Sequence, residues 1–182
     1  MTDRAVALSG PPGSGKTTAA RALAWELRLE MVSAGERFRA EARRRGMELG
    51  AFSHYAELHP EIDRALDETL LALARPGILL EGRVQGALLR ERSVPVHWLS
   101  VTAAFDVRVG RVAARDGVTP AQAAAGIRER EASERTRYRA LYGIDLDRAR
   151  PDFEVDSSSL GAGEVVHLLR QHLREEGARD GG

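Results

Sequence analysis

The chain has 182 residues, 43% hydrophobic and 30% charged, which is long enough for one domain with its own core. Its 27 lysine and arginine residues balance 27 aspartate and glutamate residues, so a nucleic-acid binder that relies on bulk positive charge is excluded. The chain has no cysteine, so we expect neither disulfides nor thiolate chemistry. It has no apolar run long enough to cross a bilayer and no room for a signal peptide before its first strand, so we expect a cytoplasmic protein without a membrane partner.

Short apolar runs alternate with helical patterns along the chain. Strands are predicted at 4–9, 29–32, 78–80, 96–101 and 153–155. Helices are predicted at 16–27, 36–45, 49–57, 60–75, 105–115, 120–142 and 163–175, and residues 177–182 are predicted to form a frayed tail. Continuously apolar strands that alternate with helices predict an α/β fold, in which helices cover both faces of a parallel sheet.

The loop after the first strand carries a phosphate-binding motif. Residues 10–17 read GPPGSGKT and fit G-x-x-x-x-G-K-[ST] between a strand and a helix. The loop turns backbone N–H groups inward, and the following helix adds the positive end of its dipole. Lys16, the only lysine in the chain, should reach the β and γ phosphates of ATP, with the Thr17 hydroxyl on Mg²⁺. The predicted ATP-binding residues are Gly10, Pro11, Pro12, Gly13, Ser14, Gly15, Lys16, Thr17 and Thr18.

Two other predicted strands end in residues suited to phosphate chemistry. The turn at residues 32–35 has small side chains and starts a helix, so it can accept an anion or a nucleoside close to the backbone. Glu81 ends a buried strand beside the loop and suits a magnesium-bound water, and Arg83 follows where open α/β sheets bind ligands. Taken alone, Arg39 reads as a solvated helix charge and Arg83 as a surface arginine paired with an acid.

Arginine is dense in the last third of the chain. Five arginines alternate with three glutamates over residues 128–139, and Arg111 and Arg115 lie four apart on one helix face. This pattern is typical of an exposed helix with many salt bridges. Arginines held over a phosphate loop are also what phosphoryl transfer needs, because they neutralise the transferring group while a closing lid excludes water.

The chain resembles the nucleoside monophosphate kinases, and most closely the short cytidylate kinases of the archaeal type. The resemblance runs from Ala5 to about Leu173 and rests on SGPPGSGKTT, LEMVSAGERFR, FSHYAELHPEIDR, LLEGR and REREASERTRYRALYGID. It implies a three-layer P-loop kinase fold with a five-stranded parallel sheet in the order 2-3-1-4-5. It also implies a single domain over residues 1–182, with an acceptor-binding region at about 34–76 and a small lid at about 111–142.

The resemblance further implies ATP- and Mg²⁺-dependent phosphorylation of CMP, and of dCMP. We also expect a monomer that binds no nucleic acid. Lys16, Arg83, Arg130 and Arg137 would be catalytic, and Thr17 and Glu81 would hold the metal, Glu81 through water. Arg111 and Arg115 resemble the pair that flanks the donor adenine and phosphates. The acceptor would contact Ser33, Gly35, Arg39, Asp63, Arg83, Glu134 and Arg137.

Several assignments stay open at this point. Glu134 would contact the acceptor or orient the arginines, and Asp63 and Arg64 would read the base or lie on a helix surface. Val84 stands where longer cytidylate kinases have an aspartate, so the base must be recognised differently. AMP, UMP, shikimate and gluconate are alternative acceptors, and an ATP-gated binding module is an alternative class of protein.

Overall fold

The structure, a computed structural model, describes residues 3–179 and the side chains of residues 3–177. Its five strands are β1 (Ala5–Ser9), β2 (Glu30–Ser33), β3 (Ile78–Gly82), β4 (Val96–Thr102) and β5 (Phe153–Asp156). All neighbouring pairs are parallel, in the order β2-β3-β1-β4-β5. The predicted fold class and strand order are therefore confirmed.

The helices follow the strands in alternation, as predicted. They are α1 (Lys16–Leu27), α2 (Ala34–Arg44), α3 (Leu49–Leu58), α4 (Pro60–Leu71), α5 (Gln85–Glu91), α6 (Phe105–Asp116), α7 (Pro120–Tyr142) and α8 (Ala162–Arg179). The sequence patterns did not predict α5, and α4 ends four residues earlier than expected. The frayed tail was wrong for residues 177–179, which continue α8, and residues 180–182 lie outside the described part.

Alternate strand side chains reach opposite faces of the sheet and build two apolar layers. Leu79 packs in a cluster with residues of α1 and α8, whereas Ile78 and Leu80 pack in a second cluster with α5 and the end of α7. Each of these three side chains is at most 1% exposed, and burial of one such side chain stabilises the fold by about 2 kcal/mol. The sheet is thus covered on both faces, which gives the predicted three layers.

A third apolar cluster lies beside the sheet, where α2, α3 and α4 meet. The buried ring of Phe52 packs on Phe38, with ring centroids 4.7 Å apart, and Ile62 of α4 completes the cluster. Ser33 caps α2 by accepting a hydrogen bond from the Glu36 N–H at 3.2 Å, so the end of β2 fixes where this helical region begins.

Helices α6 and α7 pack against each other as a hairpin. Thr119 and Gln122 form a reciprocal capping box at the start of α7, and Pro120 occupies the first helical turn, as the sequence predicted. The 23-residue α7 also packs against α3 and α4. It therefore crosses from the phosphate loop to the helical region beside the sheet. Among the described residues, no helix is long and apolar enough to span a lipid bilayer.

Candidate active site

A large cavity of about 840 Å³ opens at the carboxyl edge of the sheet. Residues at or just after the ends of all five strands line it, together with side chains from α2, α4, α6 and α7. Eight basic and five acidic residues contribute to its wall, although the chain as a whole has no net charge. The basic ones are Lys16, Arg21, Arg39, Arg83, Arg111, Arg115, Arg130 and Arg137, and the acidic ones are Asp63, Asp67, Glu81, Asp116 and Glu134.

The loop between β1 and α1 forms one end of this cavity. Residues 12–18 line the wall, whereas Gly10 and Pro11 lie behind it. Gly10 has a φ of +154°, and a Cβ there would lie 2.2 Å from the carbonyl oxygen of Val101, so only glycine fits this close approach. Lys16 is 8% exposed, and burial lowers its pKa to about 8 although Glu81 opposes the shift.

Glu81 is buried at the end of β3 and connects three segments. Its Oε1 accepts a hydrogen bond from Thr17 Oγ1 at 3.1 Å and lies 3.6 Å from Lys16 Nζ. The Ser33 hydroxyl donates to its other carboxylate oxygen, so Ser33 lies behind Glu81 and off the cavity wall. A hydroxyl and a carboxylate are the hard oxygen donors that Mg²⁺ prefers, and Mg²⁺ usually keeps several waters. The pair Thr17 and Glu81 therefore fits this ion, whereas residues 3–177 contain no cluster of three or more metal-binding side chains.

Glu134 of α7 joins two of the predicted arginines. Arg83 Nε donates to one carboxylate oxygen at 2.7 Å and Arg130 Nε to the other at 2.8 Å. Burial alone would raise the pKa of Glu134, but Arg130 and Arg83 outweigh it and hold this pKa at about 2. Glu134 is therefore ionised and orients both guanidinium groups. Their terminal nitrogens form no hydrogen bond within the part of the chain described, and Arg83 and Arg130 both line the cavity.

Arg39 of α2 lines the same part of the cavity. It has no hydrogen-bond or ion-pair partner among residues 3–177, and burial together with the charge of Arg130 lowers its pKa. Gly35 lies directly beneath it, since a Cβ there would be 3.3 Å from the Arg39 guanidinium. Cations that repel one another in a half-buried wall favour an anionic ligand between them.

Asp63 and Arg137 form a buried ion pair farther along the cavity. Arg137 Nη1 donates to both Asp63 oxygens at 2.9 and 3.0 Å, and its guanidinium lies 4.9 Å from the ring centre of Phe38. The Nε of Arg137 is buried without a partner in the described part of the chain. Burial raises the pKa of Asp63, while Arg137 opposes the shift. Asp63 thus faces the cavity, whereas Arg64 lies exposed on α4.

The two arginines predicted to flank the donor differ in environment. Arg111 donates to the Ser14 carbonyl at 3.3 Å and to the Ser157 carbonyl at 2.6 Å, so it links the phosphate loop to the loop after β5. Arg115 is exposed at the cavity mouth and pairs with Asp116 at 2.7 Å. Arg111 is therefore fixed in place, and Arg115 is available to a ligand at the rim.

Sequence reasoning missed four polar residues around the cavity: Asp67, Gln85, Arg108 and Glu131. Arg108 is 8% exposed, and its Nη1 donates to the Pro12 carbonyl at 3.1 Å and to Glu131 at 2.6 Å. Helical spacing was the available signal. Arg108 precedes Arg111 by three residues on α6, and Asp67 follows Asp63 by four on α4, so each shares a helix face with a residue already predicted.

A phosphate loop after β1, a buried acid at the end of β3 and arginines from a helical hairpin above them define the class of P-loop kinases. Residues 9–145 match the family model described as AAA domain, and the chain belongs to that family. The solved shikimate kinase from Bacteroides thetaiotaomicron has this fold, with a TM-score of 0.61 at 14% identity over 93% of this chain and 98% of that one.

Relatives of higher sequence identity show to which family of P-loop kinases the chain belongs. The chain is 42% identical over 165 residues to the cytidylate kinase of Pyrobaculum calidifontis, which covers 90% of this chain and 89% of that protein. It is 42% identical over 167 residues to the cytidylate kinase of Pyrococcus furiosus, covering 91% and 85% respectively. The chain belongs to the cytidylate kinase family, so it is an enzyme of the nucleoside monophosphate kinase class. The resemblance that the motifs indicated is confirmed.

Proposed function

We propose that the protein transfers the γ-phosphoryl group of ATP to the phosphate of CMP, and of dCMP, as a cytoplasmic monomer that acts on free nucleotides. The observation that carries the proposal is the continuity of one cavity from the phosphate loop to a second group of cations formed by Arg39, Arg83 and Arg130. Two phosphate-binding ends in one cavity suit a donor and an acceptor that both carry phosphate. The names of the curated relatives support CMP as that acceptor.

The donor end binds ATP through the loop at residues 12–18. Backbone N–H groups and the N-terminus of α1 surround the phosphates, and Lys16 contacts the β and γ groups. Thr17, and Glu81 through water, would hold Mg²⁺, which would neutralise charge on the phosphate oxygens. Arg111 and Arg115 hold the adenine side of ATP. Of these, Arg111 acts from a fixed position because Ser14 and Ser157 already anchor it.

The acceptor end binds the phosphate of CMP between Arg39 and Arg83. This phosphate is already an anionic nucleophile near neutral pH, so the reaction needs no general base. One of its oxygens forms a bond to the γ-phosphorus as the bond to the bridging oxygen of ADP breaks. Arg130 neutralises charge during transfer, and Glu134 keeps Arg83 and Arg130 aimed at the phosphate. Arg137, which the family resemblance groups with the catalytic arginines, acts on the acceptor from its pair with Asp63.

The base of CMP lies toward the Asp63 and Arg137 pair. Gly35 lies beneath Arg39, at the phosphate of CMP, and Ser33 supports the acceptor site from behind Glu81. Asp63 and Arg137 both line the cavity, and this pair of hydrogen-bonding side chains beyond the phosphate-binding arginines supports the placement. The hairpin of α6 and α7, residues 111–142, acts as a lid, and residues 34–76 form the acceptor region. Closure of the lid keeps water, the competing acceptor, away from the γ-phosphate.

A coupled steady-state assay across CMP, dCMP, UMP, AMP, shikimate and gluconate tests the proposal. We expect the highest kcat/KM with CMP and dCMP, and slow ATP hydrolysis when no acceptor is present. A higher kcat/KM with any other acceptor would contradict CMP as the substrate. ATP hydrolysis faster than every transfer would instead favour an ATP-gated binding module.

A further inference from the structure

A chain of buried hydrogen bonds connects α4 to the backbone of Arg83. Asp67 on α4 is 5% exposed, and its Oδ1 accepts a hydrogen bond from Gln85 Nε2 at 2.8 Å. Gln85 is the first residue of α5, and its Oε1 accepts from the backbone N–H of Arg83 at 2.8 Å. The other oxygen of Asp67 accepts from the Tyr142 hydroxyl at 2.9 Å. Asp67 therefore acts on Arg83 through one intervening amide.

The two hydrogen-bond partners of the Gln85 amide, the Asp67 carboxylate and the Arg83 backbone N–H, fix its orientation. A carboxylate only accepts hydrogen bonds, so it must face the NH₂ end of the amide. A backbone N–H only donates, so it must face the carbonyl end. Without Asp67, the amide of Gln85 would lose the contact that holds its oxygen toward Arg83.

Gly82 makes room for the Gln85 amide. A Cβ at Gly82 would lie 2.0 Å from Gln85 Oε1, so the absence of a side chain at residue 82 gives the amide its access to the Arg83 N–H. Arg83 lies between the end of β3 and the start of α5, where the strand ladder no longer holds it. The amide of Gln85 supplies the backbone contact at this point.

We propose that Asp67 and Gln85 are positioning residues for phosphoryl transfer, which fix the backbone of Arg83 so that its guanidinium lies between Glu134 and the phosphate of the acceptor. This inference rests on the proposed function of Arg83. The guanidinium already donates to Glu134 through Nε, so a displaced backbone would misalign the terminal nitrogens that face the cavity. A misplacement of about 1 Å at a reacting group reduces the rate by about a hundredfold.

The hydrogen bonds of Asp67 and Gln85 contribute little to the stability of the fold, and this favours a positioning role for the two residues. Burial raises the pKa of Asp67 to about 6, and the negative charge of Asp63 adds to this rise. The hydrogen bonds from Tyr142 and Gln85 and the positive charge of Arg137 lower the pKa, but they do not cancel the rise. The carboxylate is thus costly to ionise where it lies, next to an apolar cluster that contains Leu70 and Tyr138. Well-packed apolar side chains usually stabilise a buried site as well as such polar groups do, or better.

Kinetics of Gln85→Met test the proposal, because methionine keeps the length of the side chain but offers no amide. We expect kcat/KM for CMP to fall by about 10- to 100-fold while the Kd for ATP stays within about twofold. Asp67→Asn should retain most of the activity, since its amide oxygen still accepts from Gln85. The matched control is Glu68→Gln, which breaks the exposed ion pair of Glu68 with Arg92 between α4 and the end of α5 and should change kcat/KM by less than about twofold.

The double variant Asp67→Leu/Gln85→Met separates positioning from stability. We expect it to unfold within a few degrees of the wild type, because removal of a buried carboxylate offsets the lost acceptors of the Tyr142 hydroxyl and the Arg83 N–H, yet to have the kinetic defect of Gln85→Met. A kcat/KM for CMP near the wild-type value in Gln85→Met or in the double variant would overturn the proposal, as would an equal loss of ATP affinity. The wild type is assayed first: if it prefers another acceptor, the proposed function fails, and the same variants are then compared on that acceptor.

Discussion

Lys16 is the residue where burial and charge oppose each other most directly. Its pKa is lowered from 10.5 to about 8 by burial, so the free enzyme loses this proton as the pH rises through about 8. ATP phosphates favour the charged amine, so ATP binding takes up a proton above that pH. We predict that the Kd for ATP is constant below about pH 7.5 and rises toward tenfold per pH unit above about pH 8, as measured by calorimetric titration.

The control for this pH dependence is Lys16→Arg. Arginine keeps its charge over the whole range, so the Kd of this variant should stay flat up to about pH 9.5, whatever its absolute value. A slope equal to that of the wild type would assign the titration to another group and contradict the prediction.

Arg83 is the residue on which the acceptor site depends most. We predict that Arg83→Ala lowers kcat/KM for CMP by about a hundredfold or more, because the acceptor phosphate loses a charge-assisted contact and Arg130 loses its neighbour on Glu134. The Kd for ATP should change by less than about twofold, since the phosphate loop is intact. Arg90→Ala, which removes an exposed partner of Asp152, serves as the control in the same assay. Nearly wild-type turnover of Arg83→Ala would remove Arg83 from the acceptor site.

At the scale of elements, α7 presents Arg130, Glu134 and Arg137 on one face with a spacing of four and then three residues. Glu134→Gln removes the buried charge that Arg83 and Arg130 share, and it leaves these two partly buried cations without an ionised partner. We predict that it lowers the free energy of unfolding at neutral pH by about 3 kcal/mol in urea titrations. Arg135→Ala on the exposed face of α7 should change this free energy by less than about 1 kcal/mol.

The pH dependence of the same variant has a defined sign. The folded pKa of Glu134 is about 2, below the unfolded value of 4.5, so its stabilisation is complete above pH 4.5 and is lost as the pH falls toward 2. The difference between wild type and Glu134→Gln should therefore shrink over that range. A difference that stays constant would mean that Glu134 stabilises the fold by packing and not by charge.

Most elements were predictable from local patterns, and α5 shows why one was not. The strands are continuous apolar runs and α7 has a cap, whereas α5 spans only seven residues and has Gly86 as its second residue. Glycine lowers helix propensity by about 1 kcal/mol, so the local signal is weak. A Cβ at Gly86 would lie 2.3 Å from Cδ1 of Trp98, so packing of α5 on β4 accounts for the glycine. That contact joins distant segments, and local periodicity cannot reveal it.

At the scale of the molecule, motif spacing located the phosphate loop and Glu81, but it did not reveal which charges pair across the cavity. Arg83 and Glu134 lie 51 residues apart in the chain, and Asp63 and Arg137 lie 74 apart. Their pairing depends on how α7 crosses the end of β3 and α4, and no local pattern encodes that approach. The family resemblance supplied the arginines as a set, and the fold determined their partners.

The position of α7 across the end of β3 and α4 helps to concentrate positive charge in the cavity, although the chain as a whole has no net charge. Eight of the 27 basic residues line the cavity against five of the 27 acidic ones, which leaves nineteen basic and twenty-two acidic residues elsewhere in the chain. The cavity should therefore attract small anions, while the rest of the surface should not attract a polyanion. Solvent penetrates an open cavity, so salt should screen part of this attraction.

We predict that raising the ionic strength from about 0.1 M to about 1 M weakens CMP binding by about five- to tenfold, because the Debye length shortens from about 10 Å to about 3 Å. Cytidine, which has the base and ribose but no phosphate, is the control, and its weaker binding should change by less than about twofold over the same range. A fluorescent single-stranded DNA of about 20 nucleotides should not bind at about 0.15 M salt, because its phosphates would face a surface with slightly more acids than bases. Equal salt dependence for CMP and cytidine would show that the cations of the cavity do not attract the phosphate of CMP. Micromolar binding of the DNA would show that positive charge is not confined to the cavity.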